Sequence, residues 1–217
     1  DNPLQIVPST DTIGHGTAIA SVAAGSRLSG NRRFIGAAPD CNIVVVKLKP
    51  IKQYLREYYL IPQDVPCYQE TDLIQAIQYL QKFAVSLYSP LVICLGVGTN
   101  LGDHAGVSVF ARYLDLVMVR KSRAAVTCTG NEGNAAHHYH GELTRQQSSQ
   151  NVEIRVGGEM GGFVMDFWGG VPYIYTVTIR SPGGESIQWI NPQLRKPQEF
   201  TFIFERTRII VEYLVVE

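Results

Sequence analysis

His15 is placed as a general base would be. It lies between Gly14 and Gly16, is followed by Thr17, and opens a run of small residues from Ala18 to Gly25. The flanking glycines admit backbone conformations and close approaches that a side chain would block. Ala18, Ala20, Ala23 and Ala24 favour helix with almost no bulk, Ile19 and Val22 sit three apart, and Gly25 is a natural stop. A helix from Thr17 onward is therefore predicted, buried with neighbours close on several sides. A histidine in the first turn of such a helix is held firmly, as proton transfer requires. Taken in isolation, the same histidine reads as a satisfied core or capping residue.

The elements that would position it alternate. Asn42 to Leu48 is a β-branched run expected of a strand buried on both faces, and 49–70 a polar, proline-interrupted connection. From Asp72 to Leu87, Leu73, Ile74, Ile77, Leu80 and Ala84 follow helical spacing. Leu91 to Leu95 predicts a strand, Val107 to Val119 a helix through Phe110, Tyr113, Leu114 and Val117, and Ala124 to Cys128 another strand. This is the α/β alternation of a parallel sheet with flanking helices, in which sites collect beyond the carboxyl ends of strands. Two such ends are Gly96-Val97-Gly98-Thr99-Asn100 and Thr129-Gly130-Asn131-Glu132-Gly133-Asn134; by itself the second is a turn built from Gly and Asn.

After Gln150 the pattern changes. Val152, Ile154 and Val156 alternate with polar residues, and Phe163 to Trp168, Tyr173 to Arg180, Phe200 to Glu205 and Thr207 to Val216 are further strand candidates. Gly161-Gly162, Gly169-Gly170 and Ser181-Pro182-Gly183-Gly184 punctuate them as turns. A small antiparallel β domain of sandwich or jelly-roll type is expected, which divides the chain into 1–147 and 148–217.

With 217 residues, 45% of them hydrophobic, and 19 basic against 19 acidic residues, the chain can bury a full core. The balanced charge disfavours partners recognised through bulk electrostatics, nucleic acid above all. No apolar stretch approaches the roughly 20 residues that span a membrane, and no signal peptide opens the sequence. Cys41, Cys67, Cys94 and Cys128 lie in or beside apolar runs without a CxxC pair and read as buried free thiols.

Gly14 to Gly25, with Gly36-Ala37-Ala38-Pro39-Asp40 behind it, resembles the histidine motif of the subtilisin-like serine proteases, and Gly130 to Asn134 resembles the segment that supplies their oxyanion-hole asparagine. A β domain after that segment is similar to the branch found in clostridia and their relatives. Proteases of spore germination belong to that branch, whose members carry a jelly-roll domain inserted before the catalytic serine. The resemblance implies an incomplete subtilisin-like α/β domain with His15 as base and Asn131 as oxyanion donor, an amide suited to the task because it donates without changing its own protonation. It makes Gly96, Val97 and Gly98 the edge strand that pairs with extended peptide, although the usual pattern there begins with serine and leucine. It further implies a bacterial endopeptidase, secreted or spore-associated, with a polypeptide substrate, its own propeptide as a second ligand, no cofactor and a monomeric state. Some members of the branch are inactive pseudoproteases.

The nucleophile and the aspartate do not follow. Gly-Thr occurs only at Gly16-Thr17 and Gly98-Thr99, neither followed by Ser. Asp11 has no strand before it and reads as a loop or capping residue. Histidine without serine has nothing to activate, and without aspartate is not held in its working tautomer. An internal fragment is expected, inactive alone, with the aspartate before Asp1 and the serine after Glu217; the alternative is a pseudoprotease that binds or regulates. His137, His138 and His140 read as a loop rather than a zinc site, no calcium-binding pattern occurs, and Trp168 and Trp189 are expected in the core.

Overall fold

Apolar residues at helical spacing on two helices meet one face of a short parallel sheet, and this packing organises the first part of the chain. The computed structural model describes residues 2–27 and 34–215. Its helices are α1 (Pro3–Ile6), α2 (His15–Ala24), α3 (Gln53–Tyr58), α4 (Glu70–Ser86) and α5 (Val109–Met118). Its strands are β1 (Leu91–Leu95), β2 (Arg123–Thr127), β3 (Val177–Arg180), β4 (Ser186–Ile190), β5 (Gln198–Phe202) and β6 (Thr207–Val211). They fall into two units, Asp1–Asp166 and Phe167–Glu217.

In the first unit β1 and β2 pair in parallel, Leu91 with Arg123 through Leu95 with Thr127. Ile77 of α4, Ile93 of β1 and Val117 of α5 are exposed by only 1%, 2% and 4%, with Leu80, Leu91, Leu95, Phe110, Tyr113 and Leu114 packed around them. Burial of each of these three side chains contributes about 1.5–3 kcal/mol. Helix α4 begins at Glu70, two residues upstream of its predicted start, and Glu70 and Asp72 put acidic groups in its first turn, where they suit a helix N-terminus. Ser108 caps α5 by accepting from the Ala111 N–H at 3.1 Å, and Glu70 accepts from the Phe110 N–H at 2.9 Å, so the start of α4 anchors the start of α5.

Several expectations fail for a common reason. Residues 42–48 and 152–156 carry no strand, and among the described residues no backbone hydrogen bond reaches them. Alternating or β-branched sequence makes a strand only where a neighbour completes the ladder. The four cysteines are free as expected, but Cys41, Cys94 and Cys128 are exposed rather than buried. Cys94 alternates with Ile93 on β1, and its face of the sheet lacks the helices that cover Ile93. Trp168 and Trp189 are likewise exposed, not core.

The second unit contains two antiparallel hairpins, β3 with β4 and β5 with β6. The predicted turn at Ser181 to Gly184 closes the first, with the Ser181 N–H donating to Glu185 O at 2.8 Å. Strand β4 was absent from the expected set; its pairing with β3 shifts register between Val177 and Ile179, and Trp189 opposite them takes φ 57°. The two turns clamp each other. Glu185 accepts from the Ile203 and Phe204 N–H groups at 3.0 and 2.8 Å, and Glu205 accepts from the Gly183 N–H at 2.7 Å. Ser181 and the Gly183 amide hold the Glu205 carboxyl below the usual carboxylate range.

Ile77→Ala should cost the first unit about 2–5 kcal/mol in chemical unfolding. Leu116→Ala, at a position 72% exposed on α5, should stay within about 0.5 kcal/mol; equal effects would place the core elsewhere. Because the Glu205 carboxyl is more acidic folded than unfolded, its contribution is complete above the ordinary glutamate range and is lost as pH falls through the lowered value. Acid unfolding of the second unit followed by NMR should therefore flatten in Glu205→Gln; an unchanged pH profile would show that the clamp does not depend on this charge.

Candidate active site

Helix α2 is tied at both ends by groups the sequence places beside it. Asp11 Oδ1 accepts from the N–H groups of Ile13 and Gly14 at 2.9 and 2.8 Å, while Oδ2 accepts from the Thr17 N–H at 3.0 Å and the Thr17 hydroxyl at 2.6 Å. These donors, the Thr17 hydroxyl foremost, drive the Asp11 carboxyl far below the usual range. Gly14 sits at φ 86°, in the left-handed region that glycine enters without strain, and turns the chain into the helix. At the other end the N–H groups of Gly36, Ala37 and Ala38 donate to the carbonyls of Gly25, Val22 and Ala23 at 2.8, 3.0 and 2.9 Å. A Cβ on Gly36 would fall 2.8 Å from the backbone N and C of Ala24, so the glycine is what lets this segment reach the carbonyls.

His15 is the first residue of α2, two positions earlier than the predicted start. Its ring is exposed and makes no hydrogen bond among the described residues. The helix itself is more open than expected. Ile19 and Ala20 are half-buried and Ala24 buried, but Ala18, Val22 and Ala23 face solvent. The covered side meets Gly96: a Cβ there would overlap Ile19 Cδ1 and stand 3.5 Å from His15 Cε1. The missing side chain at Gly96 therefore lets the helix and its histidine lie against the end of β1.

Gly96, Val97 and Gly98 continue from β1 with no backbone hydrogen bond among the described residues, and Gly98 has open space beside it. Such a segment offers main-chain donors and acceptors to an added strand. Asn131 follows β2 in an exposed loop, with its amide free of any partner among the described residues. Because β1 and β2 run parallel, the segments after them leave the same end of the sheet. The structure thus brings His15 to Gly96, and places the Gly96 and Asn131 segments at one sheet end.

Three residues beyond the sequence-predicted set join those segments. Asn100 Nδ2 donates to Glu132 Oε2 at 2.5 Å, and His137 Nδ1 lies 3.2 Å from that oxygen and 3.2 Å from Asn100 Nδ2. Asn100, followed by His137, holds the Glu132 carboxyl below its usual range. Residues separated by 32 and 37 positions in loops leave no local pattern by which sequence could pair them. His138 lies instead against His104, ring centroids 4.7 Å apart, and among the described residues no three His, Cys, Asp or Glu side chains converge as metal ligands. Beside Asn100 a cleft of about 210 Å³ is lined by residues including Thr99, Asp103, His104 and Ser108.

Neither a family model nor a curated protein sequence matches this chain. Among solved structures it is similar to the CspB protease of Clostridium perfringens, at 27% identity and a TM-score of 0.77, over 98% of this chain and 41% of that one. The chain thus spans about two fifths of the length of that protease. The likeness supports a protease-like fold composed of a partial α/β domain and antiparallel pairs.

Removing the Asp11 cap should loosen the first turn of α2. Amide exchange at Gly14 and Thr17 should accelerate in Asp11→Ala, and acid should do the same to the wild type as pH falls through the lowered Asp11 value, where the charged cap is lost. Protection unchanged by the substitution would show that the helix start does not rest on this carboxylate.

Proposed function

We propose that the chain is a portion of a subtilisin-like serine endopeptidase and contributes the general base and the oxyanion donor to its catalytic centre. The observation that supports this best is the place of His15, with its ring against a glycine edge whose main-chain groups are unpaired, in a fold shared with a protease. Polypeptide substrate would add as an extended strand along Gly96, Val97 and Gly98. His15 would take the proton of a serine hydroxyl as that oxygen attacks the scissile carbonyl, then return it to the leaving amine. Asn131 would donate its side-chain N–H to the oxygen that becomes negative. In this reading the serine and the aspartate are supplied by sequence outside the chain, residues 148–217 with their two hairpins belong to an inserted jelly-roll domain, and the enzyme is a bacterial monomer that also engages its own propeptide.

A second reading is a pseudoprotease that binds peptide without cleaving it. It is favoured by the unpartnered His15 ring, which among the described residues has neither hydroxyl nor carboxylate at hydrogen-bonding distance. The full-length gene product separates the two. In the enzyme reading it reacts with a fluorophosphonate, His15→Ala abolishes the labelling, and Asn131→Ala lowers turnover by about 10²–10³, the range subtilisin-type amides supply. Absence of labelling in wild type would leave the binding reading, and normal cleavage by His15→Ala would refute the role of the histidine.

A further inference from the structure

The oxyanion donor of the proposed enzyme sits on a loop with little to hold it. Gly130 and Ala136 bracket the loop at φ 80° and 55°, and Ala135 donates its N–H to Glu132 O at 2.9 Å, a contact internal to the loop. Asn131 itself touches no partner among the described residues, so its position is inherited from its neighbours. Its neighbour Glu132 is tied across to the other strand-end segment, 32 residues away, at Asn100, two positions past Gly98.

The chemistry of the tie is specific. Nδ1 of His137 has either one hydrogen or one lone pair, and it faces both an amide donor and a carboxylate. Donation from Nδ1–H to Glu132 agrees with the charge, so two donors converge on Glu132 Oε2, one from each loop position. Charge-assisted bonds of this kind are the stronger and shorter ones. The group is exposed, at 53% and 54% for the His137 and Glu132 side chains, and exposed pairs add little to global stability. Its effect is on where the loop sits.

We infer that Asn100, Glu132 and His137 are positioning residues, a brace that sets the Asn131 amide relative to the substrate edge at Gly96 to Gly98. The inference rests on the protease reading above. An oxyanion donor must be held within about 0.5 Å of its working place, and a displacement of about 1 Å can cost 10²-fold in rate. The brace is the cross-loop contact nearest to Asn131 that could enforce this.

The test has two arms. In the full-length gene product, Asn100→Ala and Glu132→Ala should each lower kcat per fluorophosphonate-labelled site by roughly 10- to 100-fold, with KM within about twofold and the labelled fraction unchanged. The double variant should be no worse than the poorer single one, because the two act as a unit, and Glu132→Gln should recover part of the loss by keeping an acceptor oxygen. A raised KM with unchanged kcat would overturn the inference in favour of direct substrate contact; additive losses would overturn it too. In the 217-residue chain, amide exchange at Ala135, whose N–H donates to Glu132 O, should rise in both single variants. Unchanged exchange would refute the brace whatever the enzyme does, whereas faster exchange in a protein that never labels would refute the protease reading alone.

Discussion

Leu91 to Leu95 runs in the same direction as Arg123 to Thr127, and that shared direction brings the segments after both strands out at one end of the sheet. An antiparallel pair would have sent Asn131 to the opposite end from Gly96. The parallel pairing exists because α5 carries the chain back between the strands, and α5 can do so because Phe110, Tyr113, Leu114 and Val117 give it a face that packs on Ile93. A handful of buried aliphatic side chains thereby fixes the relative place of two loops whose own residues are mostly exposed. The site is ordered by a core that lies outside it.

The histidine reaches this end by different means. Helix α2 has only a narrow covered side, so packing alone would hold it weakly; the Asp11 cap and the three amides of Gly36, Ala37 and Ala38 supply directional bonds at its two ends. Local hydrogen bonds set the orientation of the helix, and the bare Gly96 sets how close it comes. The two controls are separable. One governs whether His15 begins a helix, the other what the helix stands against.

What could be read from the sequence follows this division. The helices α4 and α5 and the strands β1 and β2 were legible because their periodicity reports a buried face, and the Ser181 to Gly184 turn because its residues encode its conformation. His15 and Asn131 stand out in the sequence only through motif resemblance, and a motif cannot give their surroundings. Strands at 42–48 and 152–156 were misread because side-chain pattern says nothing of whether a neighbouring strand exists. Burial was overestimated for Trp189, Cys94 and Val22 because residue type reports a tendency that only a covering element realises. Asn100, Glu132 and His137 were invisible as a group because their meeting is a product of the parallel topology.

Asp11 shows why proximity in sequence is a poor guide to catalytic partnership. It lies four residues before His15, an interval that invites pairing of base and carboxylate. Each of its oxygens nevertheless receives two donors, all from residues 13 to 17, and this engagement explains why its pKa is lowered. To turn toward the imidazole it would have to release the amides that begin α2, and the helix start that presents His15 would go with them. The carboxylate that makes the histidine available therefore cannot also orient its ring. For His15 to serve as the proposed base, its orienting group must come from an element other than the Asp11 turn.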